Sequence, residues 1–175
     1  MLLLVRHAMP VPSPYVPPHL WGLSSDGHAA ARRLMSRLPA RATLLSSTER
    51  KAWETLGGSG NAVVRDARFN EVSRAGEPWG DGFHRLRRLY VEGAAHPGWE
   101  PAVDAADRFQ AGIEAALRDS RCEDVVVATH GMVMTTWLVR RGAIAVAEAA
   151  EFWSALAFPD CLLVDADGQL WCRYP

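Results

Sequence analysis

The sequence predicts an α/β fold, a three-layer sandwich in which a mostly parallel central sheet carries helices on both faces and ends in an antiparallel edge strand. Two aliphatic runs, "LLLV" at residues 2–5 and "VVVA" at 125–128, are too short for helices and lack polar alternation, as strands covered on both faces do. Helical periodicity alternates with these runs along the chain, the pattern of crossover units in a parallel sheet. The tail "CLLVDADGQLWCRY" at 161–174 reads as two strands around an Asp-Gly turn, which supplies the antiparallel edge.

The first strand runs into Arg6 and His7. Residues 9–23 follow with Pro10, Pro12, Pro14, Pro17 and Pro18, which rules out regular structure and predicts a covering loop. Ser24 or Ser25 then caps a helix with Ala31, Leu34, Met35 and Leu38 on one face. "ATLLSS" at 42–47 reads as a second strand and "TERKAWETL" at 48–56 as the opening of a second helix, ended by the glycine-rich "GGSGN". A short strand near "AVV" at 62–64 leads into a long loop rich in glycine and charge, a composition that suits an active-site lid. From Glu100 to about Leu117, with Pro101 in the first turn, Val103, Ala106, Phe109, Ile113 and Leu117 keep a helical stripe. "DVVVATHG" at 124–131 is the clearest strand, and "MVMTTWLVRR" at 132–141 the helix after it.

With 175 residues, 49% hydrophobic, the chain can bury one substantial core, so a single domain over 1–175 is expected, with a small lid segment at about 66–98. Nineteen basic against 20 acidic residues leave a formal charge of −1, without the broad positive field of a nucleic-acid or anionic-membrane binder. No stretch reaches the roughly 18 apolar residues that would span a bilayer, and no basic region precedes the first apolar run. Cys122, Cys161 and Cys172 lack the pairing of a zinc knuckle or redox dithiol, which fits reduced thiols and a cytoplasmic location.

The informative coincidence is that the two best buried strands both end on histidine, His7 and His130. In open parallel sheets ligands gather outside the carboxyl ends of the strands, so neighbouring strands would aim both imidazoles into one crevice. The strand at 42–47 delivers Ser46, Ser47, Arg50 and Lys51 to the same edge. Two histidines with two or three cations suit a dianionic phosphoryl group, whose equatorial oxygens fixed positive donors stabilise. A zinc site is the other option, but it needs a third ligand and is disfavoured beside Arg6.

These residues resemble the histidine phosphatase superfamily, the phosphoglycerate mutase-like proteins. The family's strand ending Arg-His-Gly is similar to Arg6, His7, Ala8, and its Leu-Ser/Thr-x-x-Gly helix start to Leu23, Ser24, Ser25, Asp26, Gly27. Its Ser-Ser-x-x-x-Arg-Ala-x-x-Thr stretch resembles residues 46–55, with Lys51 at the arginine position and Arg50 one residue early. Leu-x-Glu resembles Phe69, Asn70, Glu71; a glutamate with an arginine eight residues on recurs as Glu100 and Arg108, with Asp104 between; and Val-x-x-His-Gly reads Val127, Ala128, Thr129, His130, Gly131.

The resemblance implies a metal-independent phosphatase without a cofactor, in which His7 becomes a phosphohistidine that water hydrolyses. Arg6, Arg50 or Lys51, His130 and Gly131 would hold the phosphoryl group together with His7, and Glu71 would donate the proton, with Glu77 and Asp81 in reserve. Trp21 and Trp79 would wall the leaving-group side, and Arg74, Arg85, Arg87 and Arg88 are candidates for a second anion. The substrate would be a small phosphorylated metabolite or a phosphoprotein. Alternatives are a phospho-ligand or protein-binding module that has lost turnover, and a phosphomutase.

Overall fold

The computed structural model describes residues 1–80, 82–165 and 169–174. Among the described residues six strands, β1 (Leu2–Arg6), β2 (Ala42–Ser46), β3 (Val63–Arg65), β4 (Asp124–Thr129), β5 (Asp160–Val164) and β6 (Leu170–Arg173), form one sheet in the order β3-β2-β4-β1-β5-β6. The first four run parallel, and β5 lies antiparallel between β1 and β6. This is the mostly parallel sheet with an antiparallel edge that the sequence predicts. The Asp-Gly turn falls at Asp167 and Gly168, outside the described residues.

The helices are α1 (Ser25–Met35), α2 (Arg50–Thr55), α3 (Gly82–Val91), α4 (Ala102–Asp119), α5 (Gly131–Arg140) and α6 (Ala149–Ala155). Strand alternation sorts the core into two layers. Leu2, Leu4, Val125 and Val127 point to one face and pack with Phe109, Ile113, Trp137 and Trp153, while Leu3, Val5, Val126 and Ala128 point to the other and meet Leu34, Ala52 and Leu56. Each such Leu or Val taken fully out of water contributes about 1.5–3 kcal/mol, so both faces of the central strands are held.

Helices α3 and α6 are the elements that periodicity left unread. In α3, Arg85, Arg87 and Arg88 interrupt the apolar stripe, and Tyr90 and Val91 alone are fully buried. Helix α6 is two turns long and has no side-chain N-cap. No helix among the described residues is long and apolar enough to cross a membrane.

The proline-rich loop is fixed at its far end by the start of α1. Ser24 Oγ accepts the Gly27 N–H at 3.0 Å as the N-cap, while the Ser24 N–H and hydroxyl both donate to the Met9 carbonyl, at 3.0 and 3.2 Å. A Cβ on Gly27 would lie 2.2 Å from that carbonyl oxygen, a backbone atom that must move to admit it. Gly27→Ala is therefore expected to destabilise the fold by about 2–3 kcal/mol, lowering the melting temperature by roughly 5–10 °C. Calorimetry on the purified variant checks this, and an unchanged melting temperature would contradict the close approach.

Candidate active site

Strands β1 and β4 are parallel neighbours with Arg6 opposite Thr129, so His7 and His130 leave the sheet side by side. The His7 N–H donates to the Thr129 carbonyl at 3.0 Å, and the two rings lie 5.2 Å apart. On the other side of β4, the Ser47 N–H donates to the Ala128 carbonyl, bringing the end of β2 to the same edge. Register thus assembles residues that lie far apart in sequence.

His7 Nδ1 lies 2.8 Å from the Ala8 carbonyl. A carbonyl can only accept, so Nδ1 carries the proton and Nε2 keeps a free lone pair. Burial, together with His130 and Lys51, holds the His7 pKa well below 6.5, so the ring is neutral at physiological pH. His130, wholly buried, is held down in the same way by burial and Lys51; its Nε2 lies 2.7 Å from Ser47 Oγ and 3.5 Å from Glu49 Oε1.

Ala8, where the family pattern has glycine, sits without exposure in a small apolar cluster with Leu23 and Ala31, and its N–H donates to Thr55 Oγ1 at 2.9 Å. The methyl group is accommodated because no positive backbone φ is needed there.

Arg6 is 8% exposed. Its Nη1 donates to the Leu156 carbonyl at 2.5 Å and its guanidinium lies 3.5 Å from the centre of the Phe158 ring. Burial lowers its pKa to about 10, which leaves it charged at neutral pH. Gly131 backs onto this group: a Cβ there would come within 3.0 Å of Trp153 Nε1 and 3.3 Å of Arg6 Nε.

The alternatives at residues 50 and 51 separate cleanly. Lys51 is buried, and its ammonium donates to the Glu49 carboxylate and, at 2.8 Å, to the Pro18 carbonyl. Arg50 does not join the cluster. It starts α2 one position away from the buried face formed by Lys51, Ala52 and Thr55, so its side chain is largely exposed and pairs with Glu54 one turn on, at 2.6 Å.

Glu71 reaches the cluster from a loop pinned to α4. Arg108 grips Glu100 with two parallel hydrogen bonds of 2.8 Å and donates to the Arg68 and Asn70 carbonyls, and Glu100 accepts the Ser73 N–H. The paired glutamate and arginine therefore hold the loop that carries Glu71, whereas Asp104 is exposed on α4. The Glu71 carboxylate lies at the N-terminus of α5, accepting the Met132 N–H at 3.2 Å and the Val133 N–H at 2.9 Å, with the Val72 N–H at 3.0 Å.

The reserve carboxylates are placed differently. Glu77 is held between Arg74 and Arg87; burial raises its pKa, but hydrogen bonds and charge from both arginines outweigh this and keep it ionised. Its two partners are two of the arginines considered for a second anion. Arg88 donates to Ser154 Oγ. Asp81 lies outside the described residues. Trp21 and Trp79 do meet, edge to face at 6.0 Å, joining the proline-rich loop to the loop after Glu71.

Sequence reasoning missed Glu49. It is 7% exposed, and its carboxylate spans Lys51, His130 and the Glu71 N–H, which donates to Oε1 at 2.8 Å. No local pattern marks it, since side chains two residues apart do not ordinarily face each other at a helix start and its burial depends on contacts from β4 and the Glu71 loop. Among the described residues no group of three or more His, Cys, Asp or Glu side chains is placed to hold a metal ion.

A search of curated proteins finds no match. Among solved structures, the chain is similar to the TTHB049 protein of Thermus thermophilus, with a TM-score of 0.67 and 21% identity over 99% of this chain and 98% of that one. It is also similar to a mycobacterial glucosyl-3-phosphoglycerate phosphatase solved with inorganic phosphate, TM-score 0.66 and 22% identity over 98% and 94% of the two chains. A third neighbour, mycobacterial hydrolase 1, has a TM-score of 0.62 and 24% identity over 92% and 90%. These likenesses establish a shared fold. The sequence profile of the histidine phosphatase superfamily, branch 1, matches residues 2–158, and the chain belongs to that superfamily.

Proposed function

We propose that the protein is a phosphatase that hydrolyses a phosphomonoester or a phosphohistidine through a phosphohistidine intermediate on His7. The observation that carries this reading is the neutral His7 imidazole, its Nε2 lone pair free, beside His130, Arg6 and Lys51 at the carboxyl edge of the sheet. Two buried nitrogens, Arg6 Nε and His130 Nδ1, have no hydrogen-bond partner among the described residues. Buried polar atoms are costly when unpaired, and a phosphoryl group supplies an oxygen to the Arg6 N–H, and to His130 Nδ1 in the tautomer in which Ser47 donates to Nε2.

In the first step His7 Nε2 attacks phosphorus in line, the P–N bond forms and the bond to the leaving oxygen breaks. Glu71 gives its proton to that oxygen. Arg6 and Lys51 neutralise the equatorial oxygens, with His130 and the Gly131 N–H at the start of α5 beside them. In the second step water gives a proton to Glu71 while its oxygen attacks phosphorus, and the P–N electrons return to the imidazole. Inorganic phosphate leaves and Glu71 is protonated again.

Residues 66–98 would serve as a lid, with Trp21 and Trp79 at the seam through which the leaving group departs. The likeness to a phosphatase solved with inorganic phosphate supports a phosphoryl ligand.

A panel of phosphomonoesters, nucleotides and a phosphohistidine protein, assayed with wild type and His7→Ala side by side, tests the reading. Phosphate release from at least one substrate by wild type, absent in the variant, is expected. Tight binding of vanadate with no hydrolysis anywhere in the panel would favour the binding-module alternative.

A further inference from the structure

We propose that Glu49 is a specificity-determining residue of this pocket: by cancelling the charge of Lys51, it makes the binding of a dianionic phosphoryl group depend on the uptake of a proton. This rests on the phosphatase reading and concerns how the same site chooses and loads its substrate.

The argument is one of charge at close quarters. Arg6 and Lys51 bring two positive charges into the pocket, and the carboxylates of Glu49 and Glu71 bring two negative ones. The His7 and His130 imidazoles are neutral, and behind them Arg74 and Arg87 share the single carboxylate of Glu77. Arg6, Lys51, Glu49 and Glu71 thus cancel one another before a ligand enters, and the paired arginines leave one positive charge over. A dianion placed among His7, His130 and Lys51 would still leave the buried pocket with an uncompensated negative charge, a state that low-dielectric surroundings penalise strongly.

Glu49 is the group that creates this balance. It lies on the residue before α2, so the helix holds it and Lys51 together; His130 faces it from the end of β4 at 3.5 Å. The loop carrying Glu71 and Arg74 contributes the Glu71 N–H to Glu49 Oε1, and the end of β1 contributes Arg6 and His7 to the same pocket. Lys51 is a single point charge on a flexible stem, and two acceptors, Glu49 and the Pro18 carbonyl, already use it. A planar guanidinium would have donors to spare. The proton that enters with the dianion rests on one of the carboxylates facing it, and a proton on Glu71 is the one the leaving group requires. Glu49 therefore couples substrate charge to the loading of the proton donor.

Isothermal titration calorimetry of inorganic phosphate at pH 8, where phosphate is mainly dianionic, tests this when run in two buffers of different ionisation enthalpy. Wild type is expected to take up about one proton per phosphate bound, whereas Glu49→Gln takes up markedly less and binds phosphate about tenfold or more tightly. Phosphate binding by wild type without proton uptake, or with the same uptake in Glu49→Gln, would overturn the role of Glu49 and leave the phosphatase reading standing. Failure of both proteins to bind phosphate at any concentration would overturn that reading as well. The wild-type proton count decides the matter by itself should Glu49→Gln not fold.

Discussion

His7→Ala should lose turnover by a factor of about 10⁴ or more, because it removes the atom that forms the covalent bond. The second imidazole, His130, is wholly buried and has its Nε2 engaged with Ser47 and Glu49. Quenching the reaction without acid and digesting the protein should place a phosphoryl adduct on the peptide containing His7. That adduct should be labile in acid and stable in base, as a phosphoramidate is, and absent from His7→Ala. Full turnover by the variant would sink the covalent mechanism.

The same substitution has a second readout that is independent of substrate. His7 and His130 are buried and neutral, with pKa values well below 6.5, whereas in the unfolded chain they titrate near 6.5. As pH falls below 6.5 the unfolded chain binds two protons that the folded chain refuses, so stability is full above that pH and declines below it. Each histidine adds a slope approaching 1.4 kcal/mol per pH unit. Chemical denaturation between pH 7 and pH 5 should therefore show a shallower loss in His7→Ala than in wild type, by about one histidine's worth. Equal slopes would mean that the His7 imidazole charges freely in the folded state.

The central strands were legible in the sequence because each is buried on both faces, which leaves a run of aliphatic residues with no helical alternative of that length. The histidines at their ends were legible for the same reason: a polar residue closing such a run must face the sheet's edge. What the sequence could not convey is which side chains share a cation. Arg50 and Lys51 are neighbours in the chain, yet the pitch of α2 buries one and exposes the other, a distinction that depends on which face of that short helix meets β4. Glu49 escaped notice because a glutamate before a helix ordinarily faces solvent. Its burial follows from Glu71, 22 residues on, arriving on a separate loop to donate an N–H, a loop held in place by Glu100 and Arg108.

Glu71→Gln should separate the chemistry at the leaving group from the chemistry at phosphorus. Its geometry makes the variant interpretable: the glutamine oxygen can keep the bonds from Val72 and Val133, and the Met132 N–H alone loses its acceptor. The structural cost of that loss is about 1 kcal/mol, which a folded protein of this size tolerates. Catalysis should respond according to the leaving group. An alkyl phosphate expels a strongly basic alkoxide that must be protonated as it departs, so its turnover should fall by about 10²–10⁴. A nitrophenyl phosphate expels an anion stable in water, and its first step should be nearly unaffected. Because Glu71 also prepares the water that attacks phosphohistidine, the intermediate should then accumulate, visible as a burst of nitrophenol followed by slow turnover. Equal losses for both substrates with no burst would show that Glu71 only positions the start of α5, and would leave the proton to another group.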